Sequence, residues 1–487
     1  MQSQNTNQNT TNFIKSANSS RGYADVLIGL QYGDEGKARV VDLFAKDYDI
    51  VARFNGGANA GHSLVYNDIK LALNQVPAGI FYPDMLLYIG SGCVVNIVKL
   101  AKEIQKVEAV GIKLKGRLHI SSQCTIIQPH HILIDSMTGG SIGTTKNGIG
   151  PAYSDKARRM SEDRIVNIRI GALHHEPEAY FDLVKENYIK ESAIAGVSVT
   201  DVNDQINELK TAFNLIKEYI QVDTLWMQKQ VQNGKKVLFE GAQSIMLDVN
   251  KGAIPFVTSS STIASSAYCG GDLSVNYHRK VIGVAKALMS RVGNGPFTSE
   301  FGGHQSEVYC QSTQTDGTPT YTQGLEKNYE ISTLLVSDDE FELGKALRVL
   351  SFEYGVVSTR PRRIGKLDMV QLKYACLMNG VDELVITKFD MLNVYAKTKL
   401  NQAPFITKYT LNNREIDFIP SSSSSYYKTI GTQENMPIFA KDIREIRKLN
   451  DLPKEGQDIV DFIQSYTGCK VVGLGVGPER DQYIKID

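Results

Sequence analysis

Short apolar runs recur along this chain, and each is followed by a glycine-bearing or polar turn. The runs are Val26–Leu30, Ile50–Phe54, Leu86–Ile89, Val237–Phe239, Val281–Ala285, Leu384–Thr387 and Val471–Leu474. Runs of this kind, separated by helical patterns, are typical of strands covered on both faces of a parallel sheet. We therefore predict an α/β fold in which helices flank a large, mostly parallel central sheet. Functional loops are expected at the carboxyl ends of the strands, where such sheets bind ligands.

Two glycine-rich turns carry side chains suited to phosphate chemistry. The first reads Gly29-Leu-Gln-Tyr-Gly-Asp-Glu-Gly-Lys37, and the second reads Asn55-Gly-Gly-Ala-Asn-Ala-Gly-His62. Asp34 is a candidate base or metal ligand, Lys37 is a candidate phosphate-binding cation, and His62 closes the second turn. Glycine-rich turns after strands bring backbone N–H groups close to phosphates, so the combination predicts phosphoryl transfer.

The first turn departs from a Walker A loop. That motif needs a glycine five residues before the Gly-Lys pair and a hydroxyl residue after it, but Gln31 and Ala38 occupy those positions. Without a hydroxyl beside Lys37, a metal ion needs another oxygen ligand, and Asp34 is the candidate. A tight structural turn with a solvated acid pair is the alternative, and His62 alone would also fit a structural role. The two turns together favour the functional interpretation.

Composition excludes several classes of function. Lys+Arg and Asp+Glu both number 53, which argues against nucleic acid binding through bulk charge. The six cysteines are scattered without Cys-X-X-Cys spacing, which indicates reduced thiols rather than a zinc site or a disulfide frame. No apolar run reaches membrane-spanning length and no signal pattern opens the chain, so we expect a cytoplasmic protein without a membrane partner.

The chain is expected to hold one large domain behind a polar tail. Residues 1–22 are too polar to offset the entropy of ordering, so we predict a disordered tail, and 23–487 form the catalytic domain. Helical spacing from about 176 to 233 predicts a helical insertion. The polar stretch from about 303 to 339 predicts a long connection, and the serine run Ser421–Ser425 predicts a loop tip.

The two turns resemble those of the adenylosuccinate synthetase family, with Tyr32 in place of a tryptophan. The resemblance continues in order to the C-terminus and covers about residues 24–487. Its further motifs are Ile142–Tyr153, Phe239–Gln243, Val257–Ser260, Arg291–Phe297, Arg360–Arg363, Thr387–Asp390 and Gly475–Arg480. It implies a P-loop-NTPase-like fold and a Mg²⁺-dependent homodimer. The implied reaction joins L-aspartate to IMP with GTP, through 6-phosphoryl-IMP, and gives adenylosuccinate, GDP and phosphate.

The resemblance also implies roles for individual residues. Asp34 would take the purine N1 proton, His62 would support phosphoryl transfer, and Lys37 with Mg²⁺ would offset the triphosphate charge. Gln243 would join them in catalysis, and Asp34 and the Gly61 carbonyl would hold the metal. The implied GTP-binding residues are Gly33, Glu35, Gly36, Lys37, Gly61, His62, Ser63, Lys388, Asp390, Gly475 and Gly477.

Guanine choice is expected from the segment Thr387–Asp390, which follows an apolar strand. The Asp390 carboxylate can accept hydrogen bonds from both the N1–H and the 2-amino group of guanine, a pair that adenine lacks. The stem of Lys388 can lie across the base. A surface ion pair is the commoner meaning of Lys-X-Asp alone, but the position in register with the other motifs favours guanine recognition.

IMP and the amino donor aspartate are expected to bind at several loops. By family position, the IMP-binding residues are Asp34, Asn59, Thr144, Thr145, Gln243, Thr258, Val292 and Arg362, with Arg159 supplied by the partner subunit. Arg158 is adjacent and could substitute for Arg159, and a solvated face would also explain either arginine. Aspartate would bind Val357, Ser358 and Arg360, of which the arginine can clamp a carboxylate.

Several positions depart from the family pattern. In the loop Gly355–Arg360, two valines and Thr359 stand where the family has two threonines and a glycine, which leaves the amino donor or its affinity open. Ala38 and Arg39 replace a Gly-Lys pair, and Ser244 follows the Gly-Ala-Gln motif. None of these changes removes an essential catalytic type.

Two alternatives remain open from the sequence. The same chemistry could act on another purine nucleotide, such as deoxyguanylate, or use another amino donor. Phage relatives that use deoxyguanylate typically replace the loop aspartate, so Asp34 favours IMP. A different class of protein would be a non-catalytic guanine-nucleotide-binding paralogue. Such a copy should have lost Asp34, His62 or Arg360, and all three are present.

Overall fold

The computed structural model describes residues 21–66, 69–138, 145–311, 320–355 and 359–486. A ten-stranded sheet forms its centre, which confirms the predicted fold class. Its strands are β1 (Ala24–Gly29), β2 (Ile50–Arg53), β3 (Leu86–Ile89), β4 (Leu118–Ser121), β5 (Ile220–Gln221), β6 (Val237–Ser244), β7 (His278–Lys286), β8 (Glu383–Thr387), β9 (Lys470–Gly475) and β10 (Tyr483–Lys485). The spatial order is β5-β4-β3-β2-β6-β1-β7-β8-β9-β10. Neighbours run parallel except β9 and β10.

Both faces of the sheet are covered, and this explains why its strands read as continuous apolar runs. Every residue of β1 is buried. Successive side chains of a strand point to opposite faces. Val26 and Ile28 accordingly join one apolar core, whereas Leu27 joins the core on the other face. All seven predicted strands belong to this sheet.

Helices occupy both faces and the connections. They are α1 (Lys37–Ala45), α2 (Ile97–Ala109), α3 (Pro129–Thr138), α4 (Ile149–Arg158), α5 (Ile170–His175), α6 (Pro177–Ile194), α7 (Val202–Ile216), α8 (Trp226–Gln232), α9 (Ser266–Gly270), α10 (Gly303–Gln311), α11 (Gln323–Glu326), α12 (Ile331–Leu335), α13 (Glu340–Ser351), α14 (Met369–Asn379), α15 (Ser423–Tyr427) and α16 (Lys454–Thr467). In the described part of the chain, no helix combines the length and apolar character that crossing a membrane requires.

Three expectations about connections need correction or lie outside the described residues. The segment predicted as a helical insertion holds α6, α7 and α8, but β5 interrupts it and extends the sheet edge. The polar connection contains α10, α11 and α12, while residues 312–319 are not described. The serine run begins α15, because Ser422 Oγ accepts a hydrogen bond from the N–H of Ser425 at 3.1 Å and caps the helix. Residues 1–20 of the predicted tail are not described.

Smaller sheets carry parts of the site. Two-stranded pairs are His62–Tyr66 with Ile69–Leu73, Val94–Val95 with Thr125–Ile126, Met160–Ser161 with Arg164–Ile165, and Met289–Arg291 with Arg363–Gly365. A four-stranded sheet contains Leu367–Asp368, Ala403–Leu411, Arg414–Ile416 and Ile430–Met436.

Candidate active site

The turn between β1 and α1 reverses through three left-handed residues. Gly33, Asp34 and Gly36 have φ angles of 90°, 58° and 86°. Glycine adopts this region without steric cost, and aspartate is one of the few other residues that tolerate it. Gly36 caps α1, so Lys37 is the first helical residue. The free N–H groups of the helix N-terminus make the turn an anion-binding site.

The Glu35 side chain fills the inside of this phosphate turn. Its carboxylate accepts hydrogen bonds from the N–H of Gln31 (3.1 Å), the N–H of Gly33 (2.8 Å) and the Ser244 hydroxyl (2.6 Å). Lys37 Nζ donates to the other carboxylate oxygen at 2.6 Å. Both charged side chains are buried. The side chain of Glu35 therefore shapes the turn, and only its main chain is left for the predicted contact with GTP.

The Asp34 side chain stands at the outer end of a chain of ion pairs. Its carboxylate is 35% exposed, and Oδ2 lies 2.7 Å from Nη2 of Arg362. Arg362 Nη1 donates to Glu353 Oε2 at 2.8 Å. Glu353 Oε1 contacts Lys286 Nζ at 2.9 Å and Lys388 Nζ at 3.6 Å. The candidate base is thus connected to Lys388 of the guanine motif through Arg362 and Glu353, and neither Glu353 nor its further partner Lys286 was predicted from the sequence.

His62 begins the hairpin that follows the second glycine-rich turn. The side chain is buried, and Nδ1 lies 2.5 Å from Oε1 of Glu240 on β6. Burial lowers the pKa of His62, and the Glu240 carboxylate opposes this shift. Because Glu240 faces Nδ1, Nε2 is the nitrogen left for a ligand. Of the two neighbouring predicted GTP contacts, Gly61 directly precedes the hairpin and Ser63 follows His62 on its first strand.

Two amides predicted to bind IMP meet at Gly56. A side chain at Gly56 would lie 3.1 Å from Gln243 Oε1 and 3.6 Å from Asn59 Oδ1. Gln243 has a left-handed backbone (φ 56°), and its Oε1 is buried with no hydrogen-bond partner among the described residues. A buried carbonyl oxygen without a partner is costly, so this atom marks a position where a ligand can donate.

The other predicted IMP residues are less tightly gathered. Asn147 Nδ2 donates to Thr145 Oγ1 at 3.1 Å and to a carbonyl of the second glycine-rich turn at 3.3 Å, so Thr145 borders the amides. Thr258 is half-buried, and Val292 is 51% exposed. Thr144 lies outside the described residues.

Three nucleotide motifs converge on Thr387, the last residue of β8. Its Oγ1 donates at 2.7 Å to a backbone carbonyl inside the phosphate turn. Side chains placed at Gly36 and Gly475 would meet Thr387 at 3.6 and 3.3 Å. The guanine motif that contains Lys388 and Asp390 therefore adjoins both the phosphate turn and the C-terminal turn, which is the segment Gly475–Arg480. Burial raises the pKa of Asp390, and the Lys388 charge partly offsets that shift.

Arg39, a departure from the family pattern, fastens the C-terminal turn to α1. Its guanidinium donates to the carbonyl oxygens of Gly477 and Glu479, and to that of Gln482 at 3.0 Å. Arg39 therefore holds in place a turn that contains Gly477, a predicted GTP contact. The sequence marked this position as unusual without indicating its role.

The predicted aspartate loop keeps its arginine and a glycine-like backbone. Arg360 Nε donates to the Cys310 carbonyl at 2.7 Å, and the Gly355 N–H donates to the Arg360 carbonyl at 2.8 Å. Thr359 stands where the family has glycine and retains a left-handed φ of 53°. A β-branched residue is strained in that region. Val357 and Ser358 lie outside the described residues.

The two arginines after α4 have different surroundings. Arg158 pairs with Asp155 at 2.8 Å and with Glu191 at 2.7 Å. Arg159 is exposed, and its side chain makes no ion pair with any described residue. Arg158 is therefore committed to its own subunit, which leaves Arg159 as the arginine able to reach another.

A buried His130–His131–Asp155 cluster has the ligand types of a metal site but the geometry of a hydrogen-bond network. Both Nε2 atoms lie 3.0 Å from Asp155 Oδ2. His131 Nδ1 accepts from the Gln128 N–H at 3.0 Å, so its Nε2 carries the proton and lacks a free lone pair. Arg158 also pairs with the same carboxylate. These contacts join α3 to α4.

The fold and the site are those of an α/β enzyme whose turn after a central strand has a geometry suited to a phosphate. A family model described as adenylosuccinate synthetase matches residues 26–484. Adenylosuccinate synthetase 2 of Cupriavidus pinatubonensis is 41% identical over 461 residues, which are 95% of this chain and 97% of the relative. The enzyme of Mesoplasma florum is 34% identical, with 94% and 97% covered.

Structural comparison gives the same family. The structure of fully ligated adenylosuccinate synthetase from Plasmodium falciparum matches with a TM-score of 0.80 and 29% identity, and the match covers 96% of this chain and all of that one. The chain belongs to the adenylosuccinate synthetase family.

Proposed function

We propose that the chain catalyses the GTP-dependent ligation of L-aspartate to IMP, which gives adenylosuccinate, GDP and phosphate. The observation that carries this proposal is that the Thr387–Asp390 motif bonds to the phosphate turn that holds Asp34, while His62 pairs with Glu240, which lies opposite Leu27 on the strand leading into that turn. Phosphorylating the C6 oxygen of the purine turns a poor leaving group into a good one, which the aspartate amine then displaces.

Asp34 is the base for the purine N1 proton. Its carboxylate is reachable from solvent, and Arg362 orients it from one side. Removing the N1 proton raises the electron density on the C6 oxygen, which then attacks the γ-phosphorus of GTP. His62 Nε2 donates to the moving phosphoryl group, and Lys37 offsets charge at the triphosphate. Gln243 Oε1 or its amide group contacts the purine edge.

The residues present also fit the family's metal. Asp34 and the Gly61 carbonyl offer hard oxygen ligands of the type that Mg²⁺ binds. When bound, Mg²⁺ would supply charge neutralisation for the triphosphate. The described cluster of two histidines and one aspartate is a poor magnesium site, because nitrogen donors are the wrong type and one of them carries a proton.

The remaining predicted site residues divide among the three substrates GTP, IMP and aspartate. Asp390 and Lys388 recognise guanine, with Gly475 and Gly477 beside the base. Asn59, Thr145 and Thr258 bind IMP through neutral donors, together with Arg362, and Thr144 and Val292 complete that set by family position. Arg360 clamps a carboxylate of aspartate.

We propose that the protein acts as a homodimer in which Arg159 enters the partner's IMP site. The proposal is supported by the exposed, uncommitted side chain of Arg159 and by the apolar surface beside it. Met160 and Ile165 face each other across a two-stranded pair and are 49% and 43% exposed. Exposed apolar side chains next to an unpaired arginine suit an interface between subunits.

The six unpaired cysteines suit a reducing compartment, and we propose the cytoplasm.

A product assay tests the reaction. Purified protein is incubated with IMP, L-aspartate, GTP and Mg²⁺, and the products are separated by chromatography. Each substrate is then replaced in turn by dGMP, another amino acid or ATP. Adenylosuccinate formed only from the complete set supports the proposal. Product from dGMP but not IMP, or from another amino acid but not aspartate, would move the assignment to the alternative substrate, and no product from any set would leave a binding protein.

A further inference from the structure

The buried carboxylate of Glu353 lies between the candidate base Asp34 and the guanine motif Thr387–Asp390. Glu353 follows α13, is 2% exposed, and touches three cations. Arg362 Nη1 donates to Oε2 at 2.8 Å, Lys286 Nζ donates to Oε1 at 2.9 Å, and Lys388 Nζ lies 3.6 Å from Oε1. The Arg362 N–H also donates to the Glu353 carbonyl at 3.0 Å, so main chain and side chain hold the same arginine.

Lys286 connects this carboxylate to the phosphate turn. The Lys286 N–H donates to Gln31 Oε1 at 2.9 Å, and Gln31 Nε2 donates back to the Lys286 carbonyl at 3.0 Å. Gln31 lies within the turn that carries Asp34. Ser290 Oγ adds a further donor to Glu353 Oε2 at 3.0 Å. The carboxylate is therefore fixed by contacts with elements that carry the base, the phosphate turn and the guanine motif.

The Glu353 carboxylate is shared among three cations. Lys286, Arg362 and Lys388 all approach it, while Arg362 also pairs with Asp34 and the charge of Lys388 also acts on Asp390. Burial works against ionisation, but Lys286, Lys388 and Arg362 hold the pKa of Glu353 well below its usual range. Glu353 thus remains ionised and serves as the common counter-ion of these cations beside the phosphate turn.

We propose that Glu353 is a positioning residue that orients two substrate-binding cations at once, Arg362 beside Asp34 and Lys388 beside guanine. Buried charges keep one geometry when each has fixed partners, and an uncompensated one rearranges or draws in water. Loss of the Glu353 charge would leave Lys286 buried without its counter-ion and Arg362 paired with Asp34 alone. Arg362 would then move relative to Asp34, and Lys388, whose Nζ also donates to the Ser351 carbonyl, would lose its carboxylate partner. The inference rests on the proposed roles of Asp34 and Lys388.

Steady-state kinetics of the full chain test this inference through a split between kcat and KM. We expect Glu353→Gln to lower kcat at least tenfold and to raise the KM for GTP at least fivefold. The matched control is Glu300→Gln. Glu300 is equally buried and pairs with Arg363 at 2.8 Å, with no described contact to Asp34 or Lys388. We expect the control to stay within threefold of wild type in both parameters. Equal effects of the two substitutions, or a change in only one parameter of Glu353→Gln, would overturn the proposal.

Glu353→Asp decides the matter if the glutamine variant does not fold, as judged by circular dichroism. It keeps the charge but shortens the side chain, and the 3.6 Å contact with Lys388 is the longest and should be lost first. We expect kcat within threefold of wild type and a KM for GTP raised at least threefold. An unchanged KM would refute the link to Lys388. If Asp390→Asn leaves nucleotide choice unchanged, the guanine assignment itself fails, whereas the kcat effect through Arg362 would still stand.

Discussion

Replacing Glu240 by glutamine tests how the protein keeps His62 ready to donate. Glu240 contacts Nδ1 of His62 and favours a proton on that nitrogen. Nε2 then carries a proton that it can donate to a phosphoryl group only if the imidazole is protonated. Burial lowers the pKa of His62, and Glu240 opposes that effect. Glutamine keeps the size of the side chain and can still accept from the Ala78 N–H, which Glu240 accepts at 2.8 Å. With its oxygen on the Ala78 N–H, the glutamine turns its amide NH2 towards His62 Nδ1, so the substitution removes the charge and also replaces an acceptor by a donor at that nitrogen.

The expected loss follows from the 2.5 Å contact between His62 and Glu240. Two full charges at that distance attract by about 7 kcal/mol at an effective dielectric constant of about 20. Desolvation of both buried groups cancels most of this attraction. Hydrogen bonds to charged groups retain about 1.5–3 kcal/mol in net terms. Because each factor of ten in rate corresponds to about 1.4 kcal/mol, kcat should fall about 10- to 150-fold.

The pH profile of kcat gives a second measurement with a defined sign. Removing Glu240 removes the group that raises the pKa of His62, so the imidazolium form disappears at lower pH in the variant. The decline of kcat with rising pH should therefore begin earlier than in the wild-type protein. Glu103→Gln is the matched control, because Glu103 is also buried and accepts three backbone N–H groups, from residues 74 to 76. A Glu240→Gln protein with kcat within twofold of wild type and an unshifted profile would refute the reasoning.

Four further outcomes are expected. Asp34→Asn should lower kcat at least 100-fold while calorimetry still detects GDP binding within a few-fold of wild type, since an amide cannot take the N1 proton; near-normal turnover would exclude Asp34 as the base. Asp390→Asn should shift preference from GTP to xanthosine triphosphate in paired kinetic assays, and equal use of ATP and GTP by the unmodified protein would contradict guanine recognition. Inactive Arg159→Leu mixed with inactive Asp34→Asn should regain part of the activity, and no recovery despite demonstrated subunit exchange would mean that Arg159 acts within its own subunit. Burial and the neighbouring His130 lower the pKa of His131 to about 4, so the folded protein should lose up to about 3 kcal/mol of stability as the pH falls from 6.5 towards 4. The thermal midpoint of His131→Gln should therefore change less over that range than that of the wild type. Parallel curves of midpoint against pH for the two proteins would contradict this.

The sequence was sufficient for the centre of the fold and insufficient at its edges. Strands such as β1 and β6 are covered on both faces, and their unbroken apolar runs carry a strong signal. β4 reads Leu-His-Ile-Ser, so His119 interrupts its apolar run, and β5 has only two residues; neither gives the continuous apolar signal of the central strands. Ser421–Ser425 was predicted as a loop because composition does not reveal that Ser422 caps a helix.

The same distinction applies to the site. The phosphate turn and the guanine motif were predicted from local strings, because each string carries its own chemistry. Glu353, Lys286 and Arg39 were not predicted, because their importance depends on which residues the fold brings next to them. Glu240 lay inside a motif that had already been noted, and only its 2.5 Å contact with His62 gives it a role.

The position of β1 in the sheet has a consequence for how the chain folds. Ala24 pairs with Val237 on one side and with His278 on the other, so the strand before the phosphate turn is enclosed by segments synthesised much later. Pairings so distant in sequence form slowly, because the intervening chain must be closed into a loop first. An apolar strand emerging early from the ribosome must therefore wait for its neighbours, exposed to wrong partners. We expect refolding in vitro to be slow, and nucleotide binding to return only when β1 has been inserted between β6 and β7.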